Sequence, residues 1–99
     1  MKYFVIASYW VKDFQAFRNE FDSAQEMLQS SGFKRTYLNR DVEDPSHLIV
    51  VHECEDVDKA RAFYESREFK DCLGRAGVVD GPHLTYIEEL ARTRETIIV

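Results

Sequence analysis

The sequence predicts an α+β domain, a four-stranded antiparallel sheet with its helices on one face. Three observations carry that prediction. Segments rich in β-branched and aromatic residues alternate with segments whose apolar residues recur at helical spacing, in the order strand, helix, strand, strand, helix, strand. The right-handed crossover rule, applied to both strand–helix–strand connections, puts the two helical regions on the same side of the sheet. With 99 residues, 44% of them hydrophobic and 13% aromatic, the chain has material for one core and one domain over 1–99.

The first strand is "KYFVIASYW", residues 2–10. Tyr3, Val5, Ala7 and Tyr9 share one face, and Phe4, Ile6, Ser8 and Trp10 share the other. A strand apolar on both sides is expected to be covered on both. Asp13 is the N-cap of the first helical region, in which Phe14, Phe17, Phe21, Ala24 and Leu28 recur at spacings of three and four. That stripe predicts a single helix of about five turns, closed by Gly32 in a left-handed C-cap. "FKRTYLNR" (33–40) is a second strand and "DVEDPS" (41–46) a turn. "HLIVVHEC" (47–54) is a third strand, and its continuous apolar centre suits a central position. "DVDKARAFYES" opens the second helical region with Asp56 or Asp58 as cap, and "REFKDCLGRA" carries it on to Gly77. Gly81-Pro82 is expected to break the chain before a fourth strand, "HLTYIEEL" (83–90). The tail "ARTRETIIV" (91–99) ends in a small apolar group. This is the ferredoxin-like βαββαβ order.

Two helical regions cover only one face of such a sheet. The other carries Phe4, Ile6 and Trp10, and with them Ile49 and Val51. A patch of that size is rare on a monomer. A homodimer is therefore expected, with sheet packed on sheet and the tail reaching across to the partner.

Bulk properties narrow the function. With 13 basic against 18 acidic residues the net charge is −5, which argues against nucleic acid and against anionic membranes as partners. No run approaches the roughly 18 apolar residues of a membrane span. "MKYFVIASYWVKD" has one early basic residue and no small-residue cleavage site, so it reads as a strand and not a signal peptide. Cys54 and Cys72 form no CxxC and no zinc spacing. A reduced, cytoplasmic setting is the default expectation.

"VKDF" with the phenylalanines that follow it, "EDP" before the third strand, "DVDKARAF" and "SREFKDCLGRAGVVDGP" together resemble the dimeric α+β barrel superfamily, in particular its antibiotic-biosynthesis-monooxygenase-like small proteins. The resemblance covers roughly residues 1–90. It implies a dimeric barrel with a ligand cavity in each subunit, between sheet and helices. Relatives in that superfamily include cofactor-free monooxygenases, haem-degrading monooxygenases, isomerases and cyclases, so fold alone does not select an activity. Residue by residue, Ala7 stands where haem-degrading relatives place an Asn, Phe63 where they place a Trp, and Leu73 where they place a His. Val50 and Cys54 stand where polyketide-oxidising relatives place an Asn and a Trp. These apolar replacements argue against haem degradation and put the known cofactor-free oxygenation chemistry in question.

The polar residues that remain define the candidate site. If Ala7 and Val50 face the cavity, parity brings Tyr3, Tyr9, His52 and Cys54 to it. Tyr37 on the second strand, and Phe63 and Tyr64 on the helix, complete the set of ligand-binding candidates. His52 interrupts an apolar central strand, which suits either a general acid or base or a core histidine bonded to a hydroxyl. Cys54 is a nucleophile if a cation lowers its pKa and a small buried hydrophobe otherwise. His47 and His52, five apart, point to opposite faces, so no metal site is expected. No phosphate loop or nucleophile elbow is present, so no nucleotide or other cofactor is expected either. The expected function is binding or transformation of a small apolar or aromatic molecule, with His52 and a tyrosine handling a proton. The alternative is a non-catalytic ligand-binding or structural module whose cavity is filled by side chains.

Overall fold

The structure is a computed structural model and describes residues 2–91. Of the expected tail, all but Ala91 lies outside the described residues. The elements follow the predicted alternation: β1 Tyr3–Val11, α1 Phe14–Ser23, α2 Gln25–Ser30, β2 Phe33–Arg40, β3 His47–Cys54, α3 Val57–Glu65, α4 Arg67–Arg75 and β4 Val78–Glu88. The strands form one sheet in the order β2-β3-β1-β4, every pair antiparallel. β1 and β3 are therefore central, as their two-sided apolar character requires.

Both helical regions break in two. Asp13 caps α1 by accepting from the Gln15 and Ala16 amides. The single long helix expected from the apolar stripe instead ends at Ala24, whose N–H is shared between the Glu20 and Phe21 carbonyls. The Gln25 side chain donates to the Phe21 carbonyl at 2.8 Å and so takes a place in the helical ladder. The stripe survives the break: Phe17 and Leu28 are buried, and Phe14 and Phe21 pack against the core. Asp56, not Asp58, caps α3. Ser66 separates α3 from α4 with an extended backbone (φ −70°, ψ 152°). Its hydroxyl donates to the Phe63 carbonyl at 2.6 Å and accepts from the Phe69 amide at 3.2 Å, closing one helix and opening the next.

The fourth strand starts five residues before the expected His83, at Val78, and runs through Gly81-Pro82, which are joined by a cis peptide. An edge strand tolerates a proline because one of its sides needs no N–H donor. The pairing with β1 shifts register around Trp10, and Gly81 sits in the shift with φ +105°. A Cβ there would lie 2.5 Å from the Ser8 carbonyl oxygen, so the position requires glycine on two counts.

The core fills the space between the sheet and its helices. Val5, Ala7, Tyr9 and Val11 face it from β1, and Leu48, Val50, His52 and Cys54 from β3. Among the described residues no helix is long and apolar enough to cross a membrane.

Candidate functional site

His52 is the one buried polar residue of the described core, at 2% exposure. Strand parity turns it towards the helices, and the register places it between Val5 of β1 and Thr36 of β2. Its Nδ1 stands 2.8 Å from Thr36 Oγ1, and its Nε2 stands 2.5 Å from the Tyr64 hydroxyl on α3. The Tyr9 phenol of β1 lies next to Tyr64, close enough for the two hydroxyls to perturb each other. Phe33 stacks on the imidazole with ring centres 4.1 Å apart.

Tyr64, His52 and Thr36 form one hydrogen-bonded chain, with Tyr9 beside its Tyr64 end. Each hydroxyl both donates and accepts, and a neutral imidazole donates from one nitrogen and accepts at the other. The chain can therefore be written in two directions. In one, Tyr64 donates to His52 Nε2 and His52 Nδ1 to Thr36. In the other every proton is shifted one place. Passing between the two moves a proton along the chain without leaving a charge in the core.

Burial sets the electrostatics. Desolvation lowers His52 to about 4, so the ring is neutral at pH 7. The same desolvation raises Tyr9 and Tyr64 well above the usual phenol range. Cys54 is pushed up by burial and then by the neighbouring Asp56 and Glu53 carboxylates, which makes it a poor thiolate.

Beside this chain lies a cavity of about 60 Å³. Tyr9, Val50 and His52 form its floor, Phe17, Phe21, Met27, Phe63 and Phe69 its walls, and Glu20, Ala24, Cys72 and Ala76 complete it. It reaches a surface cleft of about 360 Å³ between α1 and α4, with which it shares Glu20, Ala24, Met27 and Cys72. Arg75 spans that opening, its Nε 3.1 Å from Glu20 and its Nη2 3.3 Å from Cys72 Sγ.

The expected site residues divide three ways. His52, Tyr9 and Phe63 line the cavity, and Tyr64 joins it through His52. Tyr3 and Cys54 pair at the far end of their strands, on the same face but off the cavity. Tyr37 is a correction: it lies opposite Val51 on the other face of the sheet and is 50% exposed. Ala7 is buried in the core without lining the cavity. Thr36, Phe69, Glu20 and Arg75 had no place in the sequence reading. Thr36 was reachable in principle, since any residue paired with His52 is a candidate partner, but the β2–β3 register shifts between Phe33 and Arg35. Among the described residues, no three His, Cys, Asp or Glu side chains gather to hold a metal ion.

Residues 3–75 match the family model described as antibiotic biosynthesis monooxygenase. The chain belongs to that family. Solved structures agree in fold. A Bordetella bronchiseptica protein named for the same family superposes with a TM-score of 0.79 at 20% identity, covering 91% of this chain and 98% of its own. SnoaB, a cofactor-independent oxygenase from Streptomyces nogalater, superposes with a TM-score of 0.76 at 13% identity, covering 95% and 98%. A conserved protein from Methanosarcina mazei gives 0.72 at 20% identity, covering 90% and 93%. At these identities the likeness of this antibiotic-biosynthesis-monooxygenase-family chain to the three is one of architecture. No curated protein matches the sequence.

Proposed function

We propose that this monooxygenase-like chain binds a small apolar or aromatic molecule between sheet and helices and moves a proton to or from it through Tyr9, Tyr64, His52 and Thr36. The observation that carries the reading is the hydrogen-bonded chain itself, set in the wall of an apolar cavity. A polar network in a core is tolerated only when every member is satisfied, and packing alone does not call for one. Neutral His52 takes a proton in concert with the hydroxyls on either side of it. A substrate that gives up an acidic O–H or C–H proton to this chain becomes electron-rich, which is the state that oxygenation, isomerisation and cyclisation share. The fold shared with a cofactor-independent oxygenase favours oxygenation among the three. No metal or nucleotide enters the reading.

The cavity volume favours a second reading. About 60 Å³ holds a few waters, whereas a benzene-sized guest needs about 150 Å³. On this reading phenylalanine side chains fill the cavity, and the chain is a non-catalytic module. The first reading requires α1 and α4 to part at Glu20–Arg75, a surface ion pair of the kind that resists little. An NMR titration of the full chain with 1-naphthol separates the two. Binding is expected to shift Val50, Phe63 and Phe69 saturably, and Tyr9→Phe to weaken it about tenfold, the loss of one hydrogen bond. No shift at those residues up to millimolar probe would overturn the first reading. Oxygen uptake with a phenolic substrate and no added cofactor then tests turnover.

We also read the open sheet face as a homodimer contact. Phe4, Ile6, Ile49, Val51 and Ile87 gather on it, and Ile87 is 40% exposed. A monomer by light scattering at micromolar concentration would overturn this.

A further inference from the structure

The cavity has one wall that can give way. Two clefts open among the helices, on the covered side of the sheet. One, of about 360 Å³, lies between α1 and α4. The other, of about 380 Å³, is bounded by α2, α3 and the start of α4. Phe63 borders both the cavity and the second cleft, and Glu20, Ala24 and Cys72 border both the cavity and the first. Among the described residues, Met27 alone borders all three spaces.

The backbone under Met27 is held. Its carbonyl accepts from the Ser31 amide at 3.0 Å and from the Ser30 and Ser31 hydroxyls at 3.0 and 2.7 Å. Leu28, next along α2, is buried and anchors the helix in the core. Phe63 is held as well, with Phe33, Tyr64 and Phe69 at ring-centre separations of 5.3, 5.1 and 5.2 Å. A ring packed among three others has no free rotamer to move to. The Met27 side chain differs. It is half-buried and unbranched, and its three torsions each offer staggered wells. Turned about those bonds, it leaves the partition for the 380 Å³ cleft beside Ser30 and Lys59.

We propose that Met27 is the gate of the cavity and sets the size of the aromatic ring it admits. The proposal rests on the reading that a guest binds between sheet and helices. The closed cavity of about 60 Å³ falls short of the roughly 150 Å³ that a benzene-sized guest needs. The shortfall is of the order of one side chain, and Met27 is the wall residue with a cleft to move into. With Met27 swung out, the cavity and the α1–α4 cleft become continuous. Glu20 and Arg75 then guard the way in, and Met27 makes the room. The guest's first ring takes the place the thioether leaves, against the rings of Phe17, Phe63 and Phe69, and a second ring lies in the α1–α4 cleft. Only the open fraction of molecules accepts a guest, so the closed rotamers weaken the observed affinity by that fraction. A side chain of the same bulk with fewer torsions shuts the cavity more firmly, and a methyl group leaves it open.

The test labels the methionine methyl groups of the full chain with carbon-13 and titrates it with 1-naphthol. The sequence has two methionines, Met1 and Met27, so the Met27 signal is assigned by its loss in Met27→Ala. In the free chain that methyl should average over several rotamers, and a methyl locked in one rotamer overturns the gate whatever the titration shows. On titration it should shift saturably, with the same Kd as the Val50 and Phe63 amides. Met27→Ala should bind about tenfold tighter, as an open population of about one-tenth in the unmodified chain requires. Met27→Leu should bind more weakly than the unmodified chain. Both substitutes are strong helix formers, and circular dichroism should be unchanged. Equal affinity in the three proteins, with Val50 and Phe63 shifting in each, overturns the gate and leaves the binding reading standing. Binding by Met27→Ala alone overturns both and makes Met27 a fixed wall. No shift in any of the three up to millimolar probe also overturns both.

Discussion

His52 and His47 stand five residues apart on one strand and make opposite use of the same side chain. His52 faces the helices, bonds only to hydroxyls and is held neutral by desolvation. His47 faces outward, bonds to the Asp41 carboxylate and the Ser8 hydroxyl in an outer array, and is stacked by Trp10. The first environment suits a proton relay that never carries charge. The second suits a base whose charged form has a counter-ion waiting. The hydrogen bond from His47 holds Asp41 below the usual carboxylate range, so that counter-ion is ionised. One odd-numbered step along a strand, and not the residue type, decides which chemistry is available.

The largest expected effect would break the buried half of this comparison. His52→Ala strands Thr36 and Tyr64 without partners and opens a void, and should lower unfolding free energy by about 4 kcal/mol in urea titration. A loss below about 1 kcal/mol would mean the network is not the close-packed chain described. Acid comes next. The native His52 value of about 4 lies below the ordinary 6.5, so the unfolded chain binds the extra proton first. Its contribution is whole above pH 6.5 and drains as pH falls towards 4, roughly 3 kcal/mol in all. His52→Gln should flatten that part of the stability profile, and an unchanged slope would contradict the assignment. A smaller effect sharpens the picture of the relay. Tyr64→Phe keeps the ring and removes the link, for about 1–2 kcal/mol and a weakened 1-naphthol complex. The smallest belongs to the outer array. Asp41→Asn weakens one part-buried hydrogen bond and should lower the unfolding free energy by no more than about 1 kcal/mol in urea titration.

The order of elements was legible because periods of two and 3.6 differ plainly in "KYFVIASYW" and in the Phe14, Phe17, Phe21 stripe. The helix break at Ala24 is not, since no Gly or Pro marks it and the bond from the Gln25 amide to the Phe21 carbonyl beside it has no signature in the spacing. The early start of β4 is hidden because Gly-Pro reads as a stop, and only the edge position of the strand makes it permissible. His52 stood out as a polar residue in an apolar central run. Tyr37 was misplaced because the β2 register could not be counted past its irregularity. Ser8, His47 and Asp41 come together only when strand, strand and hairpin are folded, and no spacing in the chain announces them.

Gly81 belongs to neither polar system and is adjacent to both. The spot its missing Cβ would occupy is 2.5 Å from the Ser8 carbonyl and 3.2 Å from the Tyr9 Cα. Ser8 projects into the outer array, and Tyr9 projects into the cavity. Two polar arrays on opposite faces of the sheet thus rest on the same peptide unit. Whatever moves β4 at residue 81 moves the serine on one side and the phenol on the other. An occupant of either face that shifted this contact would be felt on the opposite face with equal strength in both directions.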